Sequence, residues 1–331
     1  MANLQLSVAL EVNDVTRPVH DGTVRPEGID LVASDVHSGE LIWRQLRFAE
    51  FDIAQMSLPS LLILADRGNS PWLALPVFPQ RLFWHTRVMV RADSSLFHPQ
   101  DLRGKRIGVP EYMMTGAVWL RGIFRDEFGI TPEDLHWYQE RPEERNIGAA
   151  FGYRPPTTVH VERVPPDKSL VTMLMEGELD AASILISDTT LLDRSRPELQ
   201  RSTAIRPLFR DPVAESLRLY HKTGLYPINH CVAVRRSTLE RHPWAALNLY
   251  HAFLGAKERV VAQTRALLDP YFRLGLLPPE GQATLNADPF PYGLKHNRPS
   301  LEAMVRYCHE QGLTSRRLEV EEIFAVNTHA L

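Results

Sequence analysis

The chain has 331 residues, of which 44% are hydrophobic and 23% charged, and its formal net charge is -3. Because single cores stop growing near roughly 250–300 residues, we expect two lobes. The charged residues form no basic block, so we expect no nucleic-acid partner. No segment approaches the ~18 apolar residues that a membrane span needs, so we expect no membrane partner either.

The N-terminus and the cysteine content both favour a cytoplasmic protein. The first residues, MANLQLSVALEVND, lack a positively charged region and a small-residue cleavage site, so they do not resemble a secretory signal. Cys231 and Cys308 are the only cysteines, too few for a disulfide framework and without metal-ligand spacing. A reducing compartment fits this composition.

The first ninety residues alternate between strand and helix patterns. We predict strands over 4–10, 28–36, 52–56 and 72–78, a helix from residue 38 and a helix capped by Ser57 or Ser60. Open α/β sheets bind ligands at the carboxyl ends of their strands. The polar residues that follow predicted strands here are Asn13, Arg17, Ser57, Arg81 and His85. Turn formation, helix capping and surface ion pairs are the alternative roles for these residues.

The segment 101–125 predicts a strand that leads directly into a helix. The strand is 107–109, Pro110 closes it, and the helix begins near Thr115 as N-cap and runs to about Phe128. The free N–H groups of its first turn suit a carboxylate or a phosphate, worth roughly 0.3–1 kcal/mol per anion. Glu111 and Tyr112 precede this anion site. An ordinary strand-to-helix connection is the alternative.

The remaining pattern predicts two lobes of α/β structure with a cleft between them. Strands are expected at 159–164, 180–186 and 229–234, and helices at 168–177, 242–266 and 300–311, whereas 206–227 shows no clear period. The strand and helix alternation restarts near residue 92. We therefore assign 1–91 with 208–331 to a discontinuous lobe 1 and 92–207 to lobe 2, with the ligand site in the interlobe cleft.

Six segments, taken together and in order, resemble the 4,5-dihydroxyphthalate decarboxylase family. They are VRPEGIDL (24–31), EFDIAQMSLPSLL (50–62), PVFPQRLFWH (76–85), DLRGKRIGVPEYMMTGAVWLRGI (101–123), HPWAALNLYHAF (242–253) and PYGLKHNRPSLEAMVRYCHEQGL (291–313). The resemblance implies a fold like that of type II periplasmic binding proteins. It also implies non-oxidative decarboxylation of a hydroxylated aromatic acid.

Three positions depart from the family pattern. That pattern has Tyr where this chain has Asn13, Gln where it has Met113, and an Arg-Pro pair after the strand that ends at 185–187. A missing cation near Ser187 removes a natural partner for a second carboxylate. A substrate with one carboxylate, or with a differently substituted ring, is therefore an alternative to 4,5-dihydroxyphthalate.

Decarboxylation of an electron-rich ring requires an acid that protonates the carbon bearing the carboxylate. His85, His230 and His296 are the candidate acids, and the resemblance covers the positions of His85 and His230; a surface or structural histidine is the alternative for each. Glu111 and Tyr112 could orient a ring hydroxyl or a histidine. Carboxylate-binding and ring-binding roles are expected for Asn13, Arg17, Ser57, Arg81, Thr115, Tyr292 and His296.

We expect no cofactor, because no dinucleotide motif, phosphate loop or G-x-S-x-G elbow occurs. A divalent metal held by the three histidines with Glu111 or Asp288 stays an alternative. The expected partner is a small aromatic carboxylate, and a homo-oligomer is compatible with the sequence. The rival function is a cytoplasmic solute-binding protein that captures an aromatic carboxylate without catalysis, and a different reaction on the same scaffold, such as hydrolysis, is a third.

Overall fold

The computed structural model describes residues 2–68, 70–185, 191–194, 202–288 and 290–331. The strands are β1 (Leu4–Leu10), β2 (Ile29–Asp35), β3 (Ile53–Ser57), β4 (Trp72–Arg81), β5 (Val88–Arg91), β6 (Arg106–Val109), β7 (His136–Gln139), β8 (Val161–Arg163), β9 (Ala181–Ser183), β10 (Ile205–Pro207) and β11 (Ile228–Arg235). The helices are α1 (Arg17–His20), α2 (Ser38–Phe48), α3 (Leu58–Asp66), α4 (Thr115–Phe128), α5 (Ile147–Ala150), α6 (Leu170–Met175), α7 (Pro212–Thr223), α8 (Arg236–Arg241), α9 (Ala245–Arg273), α10 (Pro279–Asn286) and α11 (Leu294–Glu310).

Two mixed sheets form the cores of two lobes, which confirms the predicted α/β class and the two-lobe fold. The first sheet has the order β2-β1-β3-β11-β4, with β11 antiparallel to both of its neighbours. The second has the order β10-β5-β9-β6-β7-β8. Because β11 runs against β1 and β3, its first residues lie at the same sheet edge as the last residues of those strands. That edge faces the other lobe.

The chain crosses from the first sheet to the second between Arg81 and Val88. It returns between Pro207 and Ile228. The predicted boundary near residue 92 falls after β5, whereas β5 pairs with β9 and β10 in the second sheet. Sequence period does not tell which sheet a short extended segment joins, so the lobe boundary stays a prediction.

Several local predictions need correction. The strand predicted over 72–78 is longer, because β4 continues to Arg81 and pairs with the start of β11. Thr115 is the first residue of α4 and not its N-cap; Met114 occupies that position without a side-chain cap. The end of the strand predicted over 180–186 lies outside the described residues. The strand β7 and the helices α7 and α10 were not predicted.

Among the described residues, no helix is both long and apolar enough to cross a bilayer.

Candidate active site

A cavity of about 170 Å³ lies between the two lobes, where the ends of β1, β3 and β4 and the start of β11 face α4 and the end of β9. We call it the cleft cavity. Drug-sized ligands occupy roughly 300–1,000 Å³, so this cavity suits a smaller molecule. Its polar wall consists of Glu11, His37, Ser38, Ser57, Gln80, Thr115, Arg141, Asn229 and His230.

The amino ends of three helices meet at the cleft cavity. Ser38 and Gly39 begin α2, Ser57 is the N-cap of α3, and Thr115 begins α4. The N–H groups of a first helical turn have no partner within the helix, and the helix dipole makes this end positive. Two of the three helices belong to one lobe and α4 to the other. Glu11 Oε2 already accepts the backbone N–H of Ser38 at 3.3 Å, so the start of α2 is occupied by a carboxylate, and the starts of α3 and α4 are the ends that suit an anion.

A hydrogen bond joins the lobes at this point. The Oγ1 of Thr115 donates to Ser57 Oγ at 3.0 Å, and Ser57 Oγ also accepts the backbone N–H of Ser60 at 3.3 Å. The Thr115 hydroxyl therefore does not cap its own helix, because it is used across the cleft. The two hydroxyl groups fix α3 and α4 relative to each other beside the cavity.

A chain of amide groups orients the side chain of His230. Gln55 Oε1 accepts the backbone N–H of Glu11 at 3.3 Å, so its amide nitrogen faces His230 Nδ1 at 2.8 Å. Asn229 Oδ1 accepts the indole N–H of Trp84 at 2.9 Å, and Asn229 Nδ2 donates to Gln80 Oε1 at 2.6 Å. All of these groups lie at the same sheet edge. The imidazole is thus held from both sides.

Amide nitrogens face both ring nitrogens of His230, and the shorter of the two contacts favours one tautomer. Its Nδ1 accepts from Gln55, and a neutral imidazole has only one accepting nitrogen, so Nε2 carries the proton. Asn229 Nδ2 lies 3.3 Å from Nε2. Burial lowers the pKa of His230 to about 3, with a smaller contribution from nearby His37. The resting ring is therefore neutral and offers an N–H donor to the cavity wall.

Arg141 reaches the cleft cavity from lobe 2 and is fixed from behind by two carboxylates. Its Nε and Nη2 donate to Asp193 at 2.8 and 2.9 Å, and its Nη1 lies 3.5 Å from Glu111 Oε2. A Cβ on Gly39 would lie 2.9 Å from Arg141 Nη2. Only glycine therefore lets this guanidinium approach the start of α2, and the contact closes the cavity between the lobes.

Glu111 anchors the segment that covers the cavity. It is fully buried, and it accepts the backbone N–H groups of Ile147 at 3.0 Å and of Gly148 at 2.6 Å. Burial raises its pKa, and Arg141 and these two N–H groups oppose that shift. Glu111 does not line the cavity, so it positions Arg141 and α5 from behind.

The apolar wall of the cleft cavity suits a flat ring. It consists of Ile42, Trp84, Met113, Met114, Ile147, Ile184 and Leu185. A Cβ on Gly116 would lie 2.8 Å from the Trp84 indole, so this glycine lets the indole pack on the start of α4. Ile184 has a φ of 61°, a rare conformation for a β-branched residue that costs of order 1–3 kcal/mol. Backbone strain of this kind concentrates at functional sites.

The structure brings three predicted site residues to the cleft cavity, namely Ser57, Thr115 and His230. Three others, Asn13, Arg81 and Tyr292, line a separate cavity of about 400 Å³ in lobe 1, which we call the Arg81 cavity. Gln80 lines both cavities. The predicted residues are therefore divided between two neighbouring sites.

Five predicted residues line neither cavity, namely Glu111, which is described above, and four others. His85 is buried at the crossover between the lobes, with Nε2 3.3 Å from Glu215 Oε1, and burial lowers its pKa. Tyr112 is buried in the core of lobe 2, with the Arg121 guanidinium 3.7 Å from its ring centre. Arg17 and His296 are exposed. None of these four is among the residues that line the cleft cavity.

Sequence reasoning missed several residues of the cleft cavity, above all His37, Gln80, Trp84, Asn229 and Arg141. Gln80 and Trp84 lie inside the PVFPQRLFWH segment, and neither carries a charge that would mark it as a ligand-binding residue. Met113, which departs from the family pattern, does line the cavity. Position 187, the other departure near the predicted cleft, lies outside the described residues.

Within the described ranges, no group of three or more His, Cys, Asp and Glu side chains is placed to hold a metal ion.

Comparison with known proteins gives two sequence relatives, and no family model matches the chain. A protein named 4,5-dihydroxyphthalate decarboxylase from Comamonas testosteroni is 34% identical over 330 residues, which is 98% of this chain and 97% of the relative. A second protein of that name, from Pseudomonas putida, is 38% identical over 181 residues, which is 55% of this chain and 70% of the relative.

Solved structures support the fold. The alkanesulfonate-binding protein SsuA from Xanthomonas axonopodis, bound to MOPS, superposes with a TM-score of 0.56 at 14% identity, covering 98% of this chain and 99% of that one. The periplasmic aliphatic sulphonate binding protein SsuA from Escherichia coli gives 0.55 at 13%, with full coverage of both. The desulfurization enzyme DSZB gives 0.54 at 15%, with coverage of 99% and 98%. The scaffold thus occurs in both binding proteins and an enzyme.

Proposed function

Because the chain belongs to the 4,5-dihydroxyphthalate decarboxylase family, a family of carboxy-lyases, we propose that it removes a carboxylate from 4,5-dihydroxyphthalate or a closely related hydroxylated aromatic acid in the cleft cavity. The observation that carries the location is the meeting of three helix amino ends with His230 in one small cavity. An anion site and a proton-transfer group are the two features that this reaction needs side by side.

The carboxylate of the substrate would bind at the start of α4, where the first-turn N–H groups lie beside the Thr115 and Ser57 hydroxyls. Each helix end contributes roughly 0.3–1 kcal/mol toward an anion. The Arg141 guanidinium adds a positive charge from the other side of the cavity, although Asp193 and Glu111 partly neutralise it. The aromatic ring would lie against Trp84 and the apolar wall.

The reaction needs a proton at the ring carbon that bears the departing carboxylate. In 4,5-dihydroxyphthalate each such carbon is para to a ring hydroxyl, which supplies electron density to it. A proton from His230 forms the new C–H bond, the carbon–carboxylate bond then breaks, and carbon dioxide leaves as the ring recovers its aromaticity. The ring hydroxyl group is unchanged at the end.

His230 becomes an acid only when substrate is bound. Burial keeps the free ring neutral, but an anionic substrate beside it favours the protonated imidazolium and raises its pKa. The substrate thus brings the charge that allows His230 to take up a proton. Protonation of Nδ1 requires the Gln55 amide to turn so that its oxygen faces the ring, because Gln55 Nε2 and a protonated Nδ1 are both donors.

The test is direct turnover with purified protein. Incubation with 4,5-dihydroxyphthalate should release carbon dioxide and form 3,4-dihydroxybenzoate, whereas phthalate, which lacks the hydroxyl groups, should bind without reacting. The assay is repeated with and without a chelator to test the metal alternative. Saturable binding without turnover across a panel of hydroxylated benzoates and phthalates would contradict the proposal and favour a binding protein.

A further inference from the structure

The Arg81 cavity lies beside the cleft cavity but on the other side of Gln80. It is formed by the turn after β1, the end of β4, the middle of α9 and the segment around Tyr292. Its volume of about 400 Å³ exceeds that of the cleft cavity and falls within the range of small-molecule sites, about 300–1,000 Å³. Neither the sequence relatives nor the proposed reaction in the cleft cavity gives the Arg81 cavity a function.

Arg81 places a positive charge in the wall of this cavity without an acidic partner. Its Nη1 donates to the Tyr226 carbonyl at 3.2 Å, and its Nη2 donates to the Pro291 carbonyl at 2.8 Å and to Asn297 Oδ1. All three acceptors are neutral, and no ion pair of the described residues includes Arg81. Burial lowers the pKa of Arg81 to about 10. A largely buried cation without a counterion is costly, so this charge favours a bound anion.

Two buried donors in the same wall lack partners. These are Arg81 Nε and the Tyr292 hydroxyl. The two side chains are close enough to interact electrostatically. A carboxylate has two oxygens and accepts from two donors at once, whereas a neutral ligand would leave the guanidinium charge uncompensated. The chemistry of the wall therefore matches one carboxylate group.

The rest of the cavity is suited to an aromatic ring with a single negative charge. Phe78, Tyr226 and Phe290 line it, and the Phe290 side chain is 41% exposed. Asp14, at the exposed rim, is the one carboxylate among the lining residues. The other nearby acid, Asp288, is paired with Lys257 at 2.6 Å. One cation facing one rim carboxylate favours a monoanion over a dianion such as phthalate.

We propose that the Arg81 cavity is a second binding site, separate from the cleft cavity, for a small aromatic monocarboxylate. The carboxylate accepts from Arg81 and Tyr292, and the ring packs against the exposed Phe290 side chain, because the Arg81 guanidinium already lies over the Phe78 and Tyr226 rings, 5.5 and 5.2 Å from their centres. Because Gln80 lines both cavities and accepts from Asn229, the two sites share one wall. The proposal concerns binding, so it holds or fails independently of decarboxylation.

The test uses 4-fluorobenzoate as the probe and fluorine NMR as the measurement. In the wild-type protein, a bound signal should persist when excess phthalate is added, since phthalate is a dianion. Arg81→Met should abolish this phthalate-resistant signal. Tyr292→Phe removes one donor but keeps the charge, so it should weaken the binding by about tenfold. Arg17→Met is the matched control, because it removes an exposed arginine of the same lobe and should change nothing.

Arg81 also donates to the Tyr226 and Pro291 carbonyls, so Arg81→Met could remove the signal by disturbing the fold. A second variant controls for this effect. Val261→Trp fills the cavity from α9 and leaves every hydrogen bond of Arg81 in place, and it too should remove the signal. The proposal is overturned if no phthalate-resistant signal exists, or if such a signal survives in both Arg81→Met and Val261→Trp.

Discussion

The pH dependence of stability tests the environment of His230 without any substrate. The unfolded histidine has a pKa near 6.5, whereas burial lowers the folded value to about 3. Between these values the unfolded chain binds a proton that the folded protein does not, so the free energy of unfolding rises with pH and falls as the solution becomes acidic. At pH 5 the loss attributable to His230 is about 2 kcal/mol relative to pH 8. This figure changes little as long as the folded pKa lies below about 4.5.

His230→Gln should remove that dependence. Urea unfolding of the wild type and the variant at pH 5 and pH 8 gives four free energies of unfolding. Between pH 8 and pH 5 the wild type should lose about 2 kcal/mol more than the variant does. His296→Gln, on the exposed surface, is the control and should show no such shift. Parallel pH profiles for wild type and His230→Gln would mean that His230 is not held neutral, and the proposed coupling of its proton to substrate would fail.

Three further variants test the surroundings of the cleft cavity. Glu111→Gln should lower the free energy of unfolding by about 3 kcal/mol, measured with urea, because it breaks a buried contact to Arg141; a loss below about 1 kcal/mol would contradict the anchoring role. Gly39→Ala should raise KM several-fold with little loss of stability, since its Cβ would displace Arg141, and an unchanged KM would show that the approach is not required. Arg17→Lys should leave the dissociation constant for 3,4-dihydroxybenzoate, measured by calorimetry, within about fivefold, because Arg17 is exposed; a larger loss would place Arg17 at the ligand.

The elements that position the site could largely be predicted from hydrophobic period and capping residues. The strands β1, β3 and β11 and the start of α4 lie where their patterns indicate. The helix α7 was missed although its ends carry signals, since Asp211 caps it through the N–H groups of Val213 and Ala214, and Gly224 ends it with a φ of 68°. The intervening residues are mostly exposed, so they show too little apolar period to identify a helix.

The division of the predicted site into two cavities could not be read from the sequence. Gln80 and Arg81 are neighbours on β4, and successive side chains of a strand point to opposite faces. Gln80 therefore reaches the cleft cavity, whereas Arg81 reaches only the cavity beside it. The pattern predicted only Arg81 at a ligand-binding sheet edge. The side that each residue faces depends on the pairing of β4 with β11, and that pairing has shifts in register near His230.

In the proposed mechanism, the cleft cavity binds the anionic substrate first and transfers the proton only afterwards. The starts of α3 and α4 would attract an anion before any proton is present on His230, because their N–H groups are fixed in place and do not titrate. The neutral imidazole adds no positive charge to this attraction, so the free cavity avoids the cost of burying one more cation. Once a carboxylate is bound, its charge stabilises the imidazolium that can protonate the ring. A neutral aromatic ligand could fit against Trp84 in the same way, yet it would leave His230 unprotonated. The cavity would therefore discriminate among ring compounds by their charge at the proton-transfer step as well as by their fit.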